Sequence, residues 1–92
     1  MTNAKMKKII ADLQAKFPKV WFNEGSDFGG FGWSGEGSDI DGIQAFDYYG
    51  WEHDPKETIW QMGVHVDLVA WADGHGLYWE CHDPGTYCLA EK

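Results

Sequence analysis

A single amphipathic stripe, cut off by a proline, does most to limit what this chain can become. Met6, Ile9, Ile10, Leu13 and Phe17 recur at i, i+3, i+4, i+7 and i+11, the spacing of one helix face. The pattern predicts a helix over residues 4–17, with Thr2 or Asn3 as its cap. Pro18 ends it, because the residue before a proline is pushed away from helical geometry. An apolar stripe has to be buried on something. The remaining residues read as strands and turns, so the expected partner is a sheet.

Residues 19–23 form a short β-branched and aromatic run, a strand by composition. Six of the thirteen residues from 25 to 37 are glycine, interleaved with Phe28, Phe31 and Trp33. That density predicts a wide loop or an irregular edge hairpin, its rings either pinned to the core or offered to a partner. Strand character resumes over residues 40–51, and residues 54–57 read as a turn with Pro55 in second position. The strongest strand signal spans residues 60–72. Trp60, Met62, Val64, Val66, Leu68, Ala70 and Ala72 alternate with Gln61, Gly63, His65, Asp67 and Asp73. Gly63 marks a bulge or bend there. Turns at 73–76 and 83–86 bracket two last strands, 77–82 and 87–90. The expected fold is α+β: one N-terminal amphipathic helix on a four- to five-stranded antiparallel meander, a single domain over residues 1–92.

Charge is sorted by position, and there is no arginine. Lys5, Lys7, Lys8, Lys16 and Lys19 stand beside one acid, Asp12, in the first nineteen residues. Residues 20–91 carry fourteen acids against Lys56 alone. A small body that negative repels nucleic acid and anionic membrane and is drawn to basic protein surfaces. Asp39, Asp41, Asp47, Glu52, Asp54 and Glu57 cluster in one stretch and are the expected partner-binding acids. Phe28, Phe31 and Trp33 are the candidate aromatic contacts, and Lys5, Lys7, Lys8 and Lys16 a candidate phosphate-contacting face. No apolar run follows the first lysines and none reaches the length of a membrane span, so the expected location is the cytoplasm.

Catalytic and cofactor motifs do not survive inspection. Residues 30–35 match G-x-G-x-x-G, but the fingerprint needs a βαβ unit, and the acids that follow would repel a pyrophosphate. Asp39, Asp41 and Gly42 resemble the start of a calcium loop whose glycine comes two positions early. Cys81 and Cys88 lack the short paired spacing of zinc ligands. A tight hairpin at 83–86 would set Cys81 opposite Cys88 and His82 opposite Tyr87, with two reduced thiols side by side; zinc and a disulfide are the other readings. Neither thiol has a cationic setting that would activate it. No enzyme, metal or cofactor is expected.

An acidic domain of this size, without a catalytic motif, resembles the small inhibitors that phages direct against bacterial defence. Among these it is similar to the anti-CRISPR proteins, and to those aimed at the type I-F surveillance complex. The similarity is one of size, charge and build over the whole chain and carries no motif. It implies binding to CRISPR-Cas effector subunits with basic surfaces, inside the host cytoplasm, so that target DNA is kept from its channel. The lysine helix would then reach exposed guide RNA, while free DNA and membrane are not partners. Two other classes fit the same residues: a ligand- or carbohydrate-binding module using Phe28, Phe31 and Trp33, and an immunity protein against a basic nuclease toxin.

Overall fold

The computed structural model describes residues 3–25 and 30–92. Helix α1 (Asn3–Lys16) forms where the stripe places it and buries Ile9, Ile10 and Leu13, with Met6 and Phe17 packed at the edge of the same core. Thr2 and the side chain of Asn3, the expected cap, lie outside the described residues. The α+β class holds: α1 shares its core with an antiparallel sheet of four strands. These are β1 (Asn23–Glu24), β2 (Gly32–Gly35), β7 (Leu77–Asp83) and β8 (Thr86–Glu91), in the spatial order β1-β2-β8-β7.

Much of the strand content lies elsewhere than the alternation suggests. Of the two expectations for the glycine-rich segment, the edge hairpin is the closer: β1 is an edge strand, but its partner β2 is central, paired with β1 on one side and β8 on the other. Glycine is needed there for space. A Cβ on Gly32 would stand 2.3 Å from the Phe22 ring, and one on Gly35 would stand 1.9 Å from the Gly85 carbonyl oxygen.

Residues 40–51 make no continuous strand. Residues 39–53 instead make a two-residue pair, β3 (Asp39–Ile40) with β4 (Ile43–Gln44), and a single helical turn, α2 (Gly50–His53). Asp41 and Gly42 both have positive φ, and the Asp39 carboxylate accepts from the Gly42 N–H at 3.1 Å. That is the Asp-Gly hairpin turn, and it explains why this stretch resembled a calcium loop.

The largest correction concerns residues 60–72. A short hairpin, β5 (Trp60–Gln61) and β6 (Val64–His65), turns through Met62 and Gly63, both at positive φ. The chain then enters helix α3 (Val66–Gly74), whose Leu68, Trp71 and Ala72 are buried. Val69 and Trp71 sit on the parity that a one-sided strand reserves for polar residues, and a run apolar on both parities suits a helix buried at i, i+3 and i+4. His65 caps the helix: its Nδ1 accepts from the Asp67 N–H at 3.1 Å. Asp67 in the first turn also complements the helix dipole. Met62, expected beneath α1, is instead 87% exposed at the hairpin tip.

Helices α1 and α3 are tied through Asp12, whose carboxylate accepts from the Trp71 indole N–H at 2.8 Å and has His75 Nε2 at 3.4 Å. The indole bond, with the nearby Lys16, holds the Asp12 carboxyl below its ordinary range. Among the described residues, no helix is long and apolar enough to cross a membrane.

Candidate functional site

Three elements leave a concavity between them: the residues around α2, the β5–β6 tip and the far end of the β7–β8 hairpin. It holds about 590 Å³. Tyr48, Trp51, Trp60 and Met62 give it apolar walls, and Glu57, Cys81, His82 and Asp83 give it a polar margin. Gly63 and Tyr87 complete the lining.

Each wall has a local cause. Asp47 starts the turn into α2, its Oδ1 accepting from the Tyr49 N–H at 3.1 Å. The turn throws Tyr48, Tyr49 and Trp51 outward, so that Tyr49 is 53% and Trp51 64% exposed. Trp60 lies against Gly50, where an added Cβ would meet the indole at about 3.1 Å, and its N–H donates to the Gln44 carbonyl at 2.8 Å. Asp54 fixes the following turn from inside. Its carboxylate accepts from Thr58 Oγ1 and the Ile59 N–H, both at 2.6 Å, and from the Trp60 N–H at 3.1 Å. These bonds lower its pKa to about 2, the Thr58 hydroxyl contributing most.

The inner wall is Tyr87. Its side chain is 1% exposed and stacks on Phe46, yet the phenol oxygen has no hydrogen-bond partner. A buried polar group without a partner costs about 1–3 kcal/mol. Burial, and then the neighbouring Cys81 thiol, push its pKa well above the ordinary tyrosine range, so the phenol stays neutral. Gly63 makes room for it: at φ +81°, a Cβ there would lie 2.3 Å from Tyr87 Oη.

The β7–β8 hairpin differs from expectation by one residue. A bulge between Cys81 and Asp83 pairs Cys81 with Tyr87 and Glu80 with Cys88, so the two thiols point to opposite sheet faces. Neither forms a disulfide; Cys81 is exposed and donates to the Asp83 carbonyl at 3.3 Å, while Cys88 is buried. Burial, with Glu80 and Asp83 nearby, raises the Cys88 pKa. Among the described residues, no group of three or more His, Cys, Asp or Glu is arranged to hold a metal ion.

The structure divides the candidate acids. Glu57 lines the cleft, and Glu52 follows Trp51 on α2, exposed. Asp47 is half-buried beneath the same turn, with His53 Nε2 4.0 Å from its Oδ2. Asp54 is turned inward and its oxygens are taken, so it cannot serve an incoming partner. Asp39 and Asp41 lie elsewhere, lining a separate hollow with Lys16, Lys19 and Asp67.

Of the aromatic candidates, Phe31 packs at the core edge, and Trp33 is half-buried edge-on to Trp21 at 5.2 Å. Phe28 lies outside the described residues. Among the described residues the exposed rings are Tyr78 and, close together, Tyr48, Tyr49 and Trp51, the last three in a stretch read as a strand. The signal for them was the adjacent Tyr-Tyr-Gly-Trp run inside the acidic stretch. Lys5, Lys7, Lys8 and Lys16 are all exposed on α1, with Lys16 Nζ 3.5 Å from Asp12. No family model, curated protein or solved structure matches the chain.

Proposed function

We propose that this chain is an inhibitory binding protein that docks on a basic protein surface through the face built by α2 and the aromatic cleft. The observation that carries this is Trp51, 64% exposed among Tyr48, Tyr49 and Met62, with Glu52 beside it and Glu57 and Asp83 on the cleft margin. Large exposed rings ringed by charge are how interfaces concentrate their energy, aromatic anchors at the centre and polar groups at the rim. The acids add steering toward positive partners. With a formal charge of −8, the whole body supports that attraction.

The partner class that fits is a protein channel lined with Lys and Arg for nucleic-acid backbone. Taken with the resemblance in size and charge, the candidate is the type I-F CRISPR surveillance complex, whose target-DNA path the bound chain would occupy. The test is binding of the full chain to the assembled, guide-loaded complex, with target-DNA competition in parallel. Trp51→Ala should weaken binding at least about tenfold, mainly by faster dissociation. Glu52→Lys with Glu57→Lys should slow association, and raised salt should weaken the wild type. Failure of the wild type to bind overturns the partner. Binding that ignores all three changes overturns the face.

A further inference from the structure

We infer that the cleft is a socket for one arginine side chain of the partner. This rests on the docking face proposed above and names what enters it. Four features of the lining select the occupant together. The walls are π-systems, Tyr48, Trp51 and Trp60, over which a planar cation stacks favourably. The margin carries two carboxylates, Glu57 and Asp83, and no lysine or arginine lines the cleft to neutralise them. One Asp83 oxygen already accepts from the Gly85 N–H at 2.9 Å, which orients the carboxylate and leaves its second oxygen for a donor.

The fourth feature is the Tyr87 hydroxyl. It is buried, without a partner, and held neutral, and both Tyr87 and the Gly63 that clears space for it line the same cleft. Its oxygen has almost no accessible surface in this structure, so a cationic N–H reaches it only by displacing the groups that cover it; once reached, a neutral phenol oxygen can accept from that N–H and be satisfied. The groups around that oxygen add to the same preference. Cys81 gives its proton to the Asp83 carbonyl, Asp47 contributes a negative field, and Tyr48 brings a second ring.

Arginine answers this set better than lysine. Its guanidinium is flat enough to stack on the indoles, is weakly hydrated, and has five donors in a fork that can reach the phenol and a carboxylate together. Lysine offers a compact, strongly hydrated charge that loses more on leaving water. A neutral sugar could use the rings but would leave both carboxylates uncompensated.

The experiment titrates the full, 15N-labelled chain with N-acetyl-arginine amide and follows the indole N–H signals of Trp51 and Trp60. N-acetyl-lysine amide, the neutral isostere N-acetyl-citrulline amide and methyl glucoside run beside it. Saturable shifts of both indoles with arginine are expected, with lysine at least about fivefold weaker and citrulline weaker still. Tyr87→Phe should bind arginine roughly fivefold to tenfold less tightly, the equivalent of one hydrogen bond. The same variant should unfold no earlier than wild type, because it removes an unsatisfied group. A lower midpoint would mean that the hydroxyl is already bonded, and the socket would lose its floor. Equal shifts with citrulline, shifts with the glucoside alone, or none with arginine overturn the proposal. If arginine fails while Trp51→Ala still weakens partner binding, the docking face stands without a socket. If arginine binds and the assembled complex does not, the socket stands and the partner is wrong.

Discussion

Two regions of this molecule spend the same residues, tryptophan, glycine and acid, in opposite ways. Around β2, Trp21 and Trp33 meet edge to face at 5.2 Å, and the Trp21 N–H donates to the Glu36 carbonyl at 2.8 Å. Ser38 Oγ accepts from the Trp21 N–H of the backbone at 3.2 Å and shares a hydrogen bond with the buried Ser34 hydroxyl at 2.9 Å. Rings and polar groups there answer one another. Around α2, Trp60 is satisfied in the same manner, but Trp51 and Tyr49 stand out in solvent and Tyr87 is left without a partner. Internal satisfaction marks the first region as scaffold. Its absence marks the second as a place where something else must fit.

The sharpest test of that contrast is a pair of matched truncations. Trp33→Ala opens a gap between β1 and β8 and removes the ring contact with Trp21, so it should destabilise the fold by roughly 1–3 kcal/mol, allowing for partial exposure. Trp51→Ala should change stability by less than about 0.5 kcal/mol, as exposed substitutions do. Denaturant unfolding of both variants decides it. Similar losses would mean that α2 is scaffold after all, and that the exposed rings are not held in reserve for a partner.

A smaller effect separates the two kinds of acid on the second region. Asp54 is structural: its pKa falls from 3.8 to about 2, first through the Thr58 hydroxyl and then through the Ile59 N–H. A folded-state pKa below the unfolded one means that the ionised form stabilises the fold. That contribution is complete above the unfolded value and fades as pH drops through the folded value. Asp54→Asn should therefore melt earlier than wild type at neutral pH, with the gap shrinking as pH falls from about 4 toward 2. Melting curves over that range check it. Glu57→Gln, on the exposed cleft margin, should change stability at neutral pH by less than about 0.5 kcal/mol; a larger loss would make the margin acids part of the scaffold.

How much of this was readable follows from what each signal measures. The stripe in α1 and the last hairpin were legible because periodicity and turn residues agree there. The hairpin register was not, since one bulged residue at position 82 shifts every later pair and leaves no mark in composition. Residues 66–74 misled because positions i and i+4 satisfy both a two-residue and a helical period; Val69 and Trp71 were the discriminating residues. The Asp41–Gly42 and Met62–Gly63 turns carried ordinary hairpin signals, hidden inside stretches that looked like longer strands. The cleft was not legible at all. It depends on Tyr87 and Gly63, far apart in sequence, meeting across the core.

The smallest expected effect concerns the face that neither region explains. Lys5, Lys7, Lys8 and Lys16 are exposed along α1, and Lys7 borders a shallow hollow with Gln14, Asn23 and Glu24. Lysines on a helix surface are favoured by propensity and solvation alone, so their presence demands no partner. In a molecule of net negative charge, the same lysines are also the densest positive patch on which a phosphate backbone could settle. Lys7→Gln with Lys8→Gln removes two charges without touching the buried stripe of Ile9, Ile10 and Leu13, so the fold should be unchanged. If the helix meets guide RNA in the assembled complex, affinity should fall modestly, and the salt slope should drop by about 0.7 for each single-strand phosphate lost. Binding measured at several salt concentrations reads both quantities. Equal affinity and an equal slope would assign the lysines to solvent and leave the aromatic cleft as the sole contact surface argued from this fold.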